Sequence, residues 1–511
     1  MPDRIALFSV SDLREIAGFG AVFDGMGWKI VATRDACAAL RAAGIPAVRI
    51  DEFTGTTEQY PFPPTLHPRV EEALTAPEGK ERIELVYDIP YPLERGNDVG
   101  GMTLLALAVK GGRTAVAARE DMARVAAMIR ERGAVPDDER RRLAAKALHL
   151  IGAHYAALLD RAGPSPYDLL AGIERTRLAH GENPYQEPSA LFADPRSGDP
   201  LALHRYEQLS GEPPCFTNMA DLDSAAATLC LLSAAYRKLG VGCPYIVVAA
   251  KHGNACGLSV DRSDPLAAIE RALWGDPLAI WGGEVVVNFE LGAAHAELLL
   301  RSARRDERFG SPGWMLDIVA APAVSPGAAA ALGQRKRRKL FRNPALADPP
   351  LPTERWSYRG VRGGFLRQPP PTYVLDFAGL DLPPGGFGAS STDDLLVAWA
   401  AAYTSIHGGN EVALASSGTL VGVGGGPSTV GAAETAVGRA RAHGHDLRAA
   451  AFAADAFFPY LDAPRVLADA GCACGLVPAG GKSEGEVRSF FAGRGLKVGF
   501  IPERYRGFCR H

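Results

Sequence analysis

Over residues 1–110, short apolar runs alternate with amphipathic stretches. Residues 5–8, 28–32, 47–50 and 83–87 read as strands, and residues 34–43 carry the spacing of a helix lying between two of them. Alternation of this kind predicts a parallel sheet covered by helices. From 115 to 165 the spacing turns helical throughout, with apolar positions recurring over 122–128 and 143–159. Gly163-Pro164-Ser165-Pro166 breaks that pattern and marks a hinge between domains. Further on, the unbroken apolar run 245–250 predicts a buried strand that ends in a polar, glycine-flanked turn. No internal repeat is obvious in the remainder.

At 511 residues the chain is too long for one ordinary core, so the breaker divides it into an expected domain of residues 1–165 and another of 166–511. A 47% hydrophobic content with 22% charged residues is that of a soluble globular protein. The formal net charge of −3 gives no basic face for a nucleic-acid backbone, so no nucleic-acid partner is expected. One basic run, Arg335-Lys336-Arg337-Arg338-Lys339, reads as a solvated helix end. Eight cysteines in so long a chain are no disulfide framework. Cys472 and Cys474 lack a second pair at zinc spacing and read as buried thiols, and no metal is implied. No apolar run approaches a membrane span, and Met1-Pro2-Asp3-Arg4 lacks a signal peptide's layout, so a cytoplasmic protein is expected.

Candidate chemistry concentrates at Lys251-His252-Gly253-Asn254-Ala255-Cys256-Gly257, the turn that ends the apolar run. Strand ends are where α/β proteins place chemistry. A histidine there can relay a proton while the adjacent lysine steadies developing negative charge. The same seven residues also read as an ordinary polar turn on a core strand. What separates the two is that the stretch resembles the KHxNPCG signature of the bifunctional purine-biosynthesis family, which joins an AICAR transformylase (AICAR is 5-aminoimidazole-4-carboxamide ribonucleotide) to an IMP cyclohydrolase. The likeness recurs in family order from Ser9-Val10-Ser11-Asp12 to Arg506-Gly507-Phe508, and the chain is identified as a divergent member of that family.

The resemblance implies an α/β fold in two parts: an N-terminal methylglyoxal-synthase-like parallel-sheet domain, and a larger transformylase domain that is a duplicated cytidine-deaminase-like α/β unit. In the first, the family binds a nucleotide phosphate on the loops SVSDKTG and STGGTA, where small residues let backbone N–H groups approach the anion. This chain reads Ser11-Asp12-Leu13-Arg14 in the one and Thr33-Arg34-Asp35-Ala36 in the other, so a carboxylate intrudes where a phosphate should sit. Pro64 replaces the lysine of KTLHP, whereas Tyr91 (LYPF), Asp98 (IDIGG) and Lys110 (AAAKN) match. With Ser11, these form a partly dismantled cyclohydrolase-like site.

In the second part, His180-Gly181-Glu182-Asn183-Pro184-Tyr185-Gln186 resembles RYGENPHQ, with Ala179-His180 in place of the Arg-Tyr pair whose arginine is a phosphate ligand in the family. Asn218 matches NNIAD, and Trp281-Gly282-Gly283-Glu284-Val285-Val286-Val287-Asn288 resembles FGGIVALN. Asn410 stands where the family has KSN, and Asp455-Ala456-Phe457-Phe458-Pro459-Tyr460 resembles DAFFPF, aromatic material suited to stacking on a pterin, though ordinary aromatic core reads the same way. By resemblance, Lys251, His252 and Asn410 are catalytic. Asn183, Asn218, Gly282, Gly283, Arg506 and Phe508 hold the substrate, and Asp455, Phe457, Phe458 and Pro459 hold 10-formyltetrahydrofolate.

The expected reaction is formyl transfer from that folate to the amine of AICAR or an AICAR-like acceptor by a homodimer. Two alternatives stand beside it. One is a one-carbon transferase with a different, unphosphorylated acceptor; the other is a non-catalytic folate- or nucleotide-binding subunit.

Overall fold

The computed structural model describes residues 3–56, 63–76 and 81–507, which form two compact units, Met1–Ala171 and Gly172–His511. Phe508 lies outside the described residues.

The first unit is built on a five-stranded sheet. Its strands are β1 (Asp3–Val10), β2 (Lys29–Ala32), β3 (Val48–Arg49), β4 (Glu81–Ile89) and β5 (Thr114–Val116), in the order β3-β2-β1-β4-β5 and parallel throughout. The period-2 pattern of β1 explains why both faces are covered. Ala6 and Phe8 join Phe19, Phe23 and Trp28 on one side, while Ile5 and Leu7 join Phe53, Leu104 and Leu105 on the other. One expectation fails here: residues 114–116 lie in a strand and not in the helical stretch that follows. A run of three residues after Gly111-Gly112 is too short to show a period, and only its pairing with Leu85–Tyr87 makes it a strand.

The second unit opens with a ribbon of β6 (Ile173–Arg177) and β7 (Ala190–Ala193), and then builds an eleven-stranded sheet. Its first half comprises β8 (Glu207–Ser210), β9 (Tyr245–Lys251), β10 (Asn254–Asp261), β11 (Gly283–Val287), β12 (Leu316–Ala321) and β13 (Lys339–Arg342). After an exposed ribbon of β14 (Ser357–Val361) and β15 (Gly364–Gln368), the second half adds β16 (Val412–Ser416), β17 (Thr419–Gly424), β18 (Ala451–Ala454), β19 (Cys474–Pro478) and β20 (Lys497–Ile501). The order is β20-β19-β18-β16-β17-β10-β9-β11-β12-β13-β8.

The two halves repeat one plan. In each, a buried helix (Phe216–Lys238, Thr392–Thr404) leads into an antiparallel hairpin, β9–β10 or β16–β17. The hairpin's first strand then pairs with a strand that starts a parallel run, β11-β12-β13 or β18-β19-β20. The halves meet where Ser259 on β10 faces Thr419 on β17, their hydroxyls 3.1 Å apart and both within reach of the Arg271 guanidinium. The duplication implied by resemblance is therefore plain in the backbone although the residues do not repeat.

The basic run differs from expectation. Arg335, Lys336 and Arg337 are exposed, but Arg338 and Lys339 are buried, because Arg338 turns back to donate to the Leu332 carbonyl at the end of the preceding helix and Lys339 opens β13. Cys472 and Cys474 are buried. Among the described residues no helix is long and apolar enough to cross a membrane, and no group of three or more His, Cys, Asp or Glu side chains is placed to hold a metal ion.

Candidate active site

Lys251-His252-Gly253-Asn254 is the turn of the β9–β10 hairpin, with Lys251 paired to Asn254. His252 (φ 52°) and Gly253 (φ 74°) both take left-handed backbone, the signature of a two-residue turn that matches strand twist. Only His252-Gly253 of the seven-residue motif is therefore turn, since Lys251 ends one strand and Asn254 opens the next. Glycine is required at 253 because a Cβ there would run into Ile406 Cδ1. The frame beneath the turn is Asp221, on the helix Phe216–Lys238, whose carboxylate accepts from His252 N (2.9 Å) and Gly253 N (2.7 Å). The imidazole is left on the exposed side, while Lys251 Nζ donates to the Trp281 carbonyl.

Asn254 couples this turn to a second loop. Its amide donates to His252 O (2.9 Å) and its oxygen accepts from Ile406 N (2.6 Å), which brings residues 405–411 alongside. In that loop Glu411, almost fully buried, accepts from His407 N and meets His407 Nδ1, both at 2.8 Å. Asn410 is held at φ 51° with Nδ2 donating to Gly426 O (3.0 Å). The loop continues to Asp455, whose N–H donates to Glu411 O, and from there to Gly507, whose N–H donates to Asp455 O. One connected set of bonds thus gathers Lys251, His252, Asn410 and Asp455, with Arg506 next along the chain.

Asp455 is buried and neither carboxyl oxygen has a partner. Burial, reinforced by the charge of Glu411, pushes its carboxyl up to about 8, so it is protonated at neutral pH and can both donate and accept. Other expectations for this region change. Phe458 is 2% exposed and packed among Phe452 and Phe491, so its ring belongs to the core and has no face to offer a ligand. Phe457 and Pro459 are half-buried, and Tyr460 is exposed. Gly283 is glycine for packing: a Cβ there would meet the Ala250 carbonyl of the neighbouring strand, which is a closer reason than ligand approach. Asn218 is buried; its oxygen accepts from Cys215 N to cap its own helix, and it shares a further hydrogen bond with Glu284. Asn183 lies on an exposed turn bonded only to Gln186.

In the first unit a cavity of about 550 Å³ lies at the strand ends, lined by Ser11, Tyr91 and Asp98 together with Asp35, Pro64 and Asp88. Lys110 is not part of it. It sits at the far end of the helix Val99–Lys110 that Asp98 caps, and pairs with Glu71 on the surface. Asp98 spends its carboxylate on Gly101 N (2.8 Å) and Tyr91 N (3.1 Å). Asp88 has one oxygen without a partner, and burial, aided by the nearby Asp98 charge, pushes its carboxyl up to about 7. Among the described residues, three acids therefore line this cavity against the single guanidinium of Arg95. Sequence reading passed over Asp88, Asp221, Glu284 and Glu411, each a lone acid inside or beside an apolar run with no spacing to mark it.

Comparison with known proteins places these features in a family. The family described as "AICARFT/IMPCHase bienzyme" matches residues 113–439. "Bifunctional purine biosynthesis protein PurH" of Deinococcus radiodurans is 30% identical over 98% of this chain and 99% of its own length. Its counterpart in Deinococcus deserti is 31% identical over the same shares, and that of Acidithiobacillus ferrooxidans is 30% identical over 98% of each chain. A solved structure, "Crystal structure of ForH", is 26% identical over 32% of this chain and all of its own, with a TM-score of 0.29. On the family match and on relatives spanning almost its whole length, the chain belongs to the AICARFT/IMPCHase bienzyme family.

Proposed function

We propose that the chain transfers a formyl group to the amine of AICAR or an AICAR-like acceptor, and that its first unit closes the purine ring poorly or not at all. The observation that carries the first part is the bonded frame that sets His252, Lys251 and Asn410 around one locus. When bound, 10-formyltetrahydrofolate supplies the formyl carbon. The half-buried Phe457 and Pro459 suit the flat face of its pterin, and the buried, neutral carboxyl of Asp455 lies beneath them as support. His252 takes the proton that the acceptor amine sheds on attack and returns it to the departing nitrogen. Lys251 adds positive charge, and Asn410, whose amide has a second N–H beyond the bond to Gly426, donates to the developing oxyanion. Arg506 is assigned, by resemblance, to an anionic part of the acceptor. The working form is a homodimer, as resemblance implies.

A second reading, an acceptor without a 5′-phosphate, is favoured by Ala179, which removes the arginine donor of the second unit, and by the acidic lining of the first unit's cavity. Calorimetric titration with AICAR and with its unphosphorylated riboside, followed by transfer assays on both, tests the assignment. Tight binding and turnover of AICAR alone would establish the housekeeping substrate. Turnover of neither, with folate still bound, would favour a non-catalytic subunit.

A further inference from the structure

Glu284 stands in Trp281-Gly282-Gly283-Glu284, where the family motif FGGIVALN has isoleucine. It is 1% exposed at the start of β11, in register with Ala250 on β9 and Ile318 on β12, directly under the His252 turn. Its carboxyl meets Asp221, the acid that holds His252 N and Gly253 N, and also Asn218. If both carboxyls were charged they would repel in a buried place, and Glu284 Oε2 would have no partner. A single proton between them removes both faults. Burial and the Asp221 charge push the Glu284 carboxyl well above its ordinary range, so Glu284 carries that proton. Among the described residues, the remaining groups around the pair do not supply a free cation. Asp317 on β12 is engaged by Arg337, Cys256 on β10 is a half-buried thiol, Lys251 is bound to Trp281 O, and the His252 ring faces outward.

The internal duplication provides a comparison within the same molecule. In the second half Asp394 holds Gly418 N (2.5 Å) and Ser417 N under a turn of the same left-handed form (φ 55° and 69°). The position matching Glu284 there, opposite Ala415 on β16, is Ala451. An aspartate alone is therefore enough to fold such a turn, and Glu284 is an addition to the frame that carries chemistry.

We propose that Glu284 is a positioning residue for the transfer reaction: as the neutral acid it donates to Asp221, and through Asp221 it fixes the His252–Gly253 turn that presents the imidazole. This rests on the reading of His252 given above. Ionisation of Glu284 sets two carboxylates against each other, weakens the hold of Asp221 on the turn, and lowers transfer on the alkaline side.

The test follows two readouts across pH in the wild-type chain, in Glu284→Gln and in Glu284→Ile. One is the His252 ring resonance, assigned by its loss in His252→Gln, and the other is kcat for formyl transfer. In the wild type, the His252 signal moves in a second, alkaline step and kcat falls about tenfold per pH unit beyond that step, as for loss of one proton. In both variants the alkaline step disappears from the resonance and the alkaline limb is lost or displaced. Glu284→Ile, which restores the motif's own residue, serves if the amide fails to fold. An alkaline step that persists in the variants, or is absent from the wild type, overturns the proposal. An alkaline step present in the resonance of a protein without transfer activity would instead leave the positioning role standing and remove the assigned reaction.

Discussion

A histidine in left-handed backbone costs on the order of 1–2 kcal/mol, and at residue 252 two N–H bonds to Asp221 offset that strain. The backbone is fixed so that the ring can be exposed. With proton transfer assigned to the ring and folate contact assigned to other residues, His252→Ala is expected to lower kcat about 10²–10⁴-fold. Folate affinity should hold within about threefold in the same variant, as single-turnover assays and ligand titration would show. The neighbouring Gly253→Ala attacks the frame itself, because it adds φ strain and a collision with Ile406. It should lower stability by more than about 1 kcal/mol in denaturant unfolding and reduce kcat alongside. These residues also show where sequence reading stops. Lys251, His252 and Asn410 stood out because motif resemblance gives them roles, whereas the meaning of Glu284 and Glu411 depends on what packs against them. Phe458 is ambiguous in sequence for the opposite reason, since an aromatic run reads the same whether its rings face a ligand or a core, and here its ring is buried.

At the scale of elements, the strands read at 5–8, 28–32, 83–87 and 245–250 were legible, the one read at 47–50 shrank to Val48–Arg49 because Ile50 opens a helix, and the parallel sheet of the first unit followed from the alternation with helices. The three-residue β5 was not, and neither was the cavity at the strand ends, whose lining comes from loops far apart in the chain. That cavity makes a prediction about pH. The folded-state value of Asp88, about 7, lies above its ordinary 3.8, so the fold favours the neutral acid. The resulting stabilisation is complete below pH 3.8 and is lost as pH rises through 7. Asp88→Asn, which cannot ionise, should therefore match the wild type near pH 4 and unfold at higher temperature than it above pH 7, by the equivalent of a few kcal/mol, in thermal melts of the whole chain. Near-neutral melts that coincide would mean that the carboxyl is hydrated or paired in solution. The same acidic lining predicts little IMP from the formylated nucleotide supplied to the intact protein, measured by its ultraviolet spectrum.

For the molecule as a whole, the acceptor's phosphate is the open variable. Ala179→Arg should raise kcat/KM for AICAR more than for any unphosphorylated amine, because a restored guanidinium adds charge-assisted bonds of about 1.5–3 kcal/mol each to a phosphate alone. An unchanged ratio would show that phosphate recognition does not pass through this position. The second unit's repeated plan allows one more comparison. Asp221→Ala and Asp394→Ala each strip a turn of its carboxylate acceptor and should cost similar stability, about 2–4 kcal/mol. Only the first should depress the kcat of the protein that remains folded. On the proposed reading, a change of side chain at the first turn alters chemistry, while at the second, Ser417-Gly418, only the backbone has to be kept. A gene segment doubled once and then read under two different rules loses the likeness of its letters long before the likeness of its shape, which is why the ancestry of this sheet survives in its strand order and nowhere in its spelling.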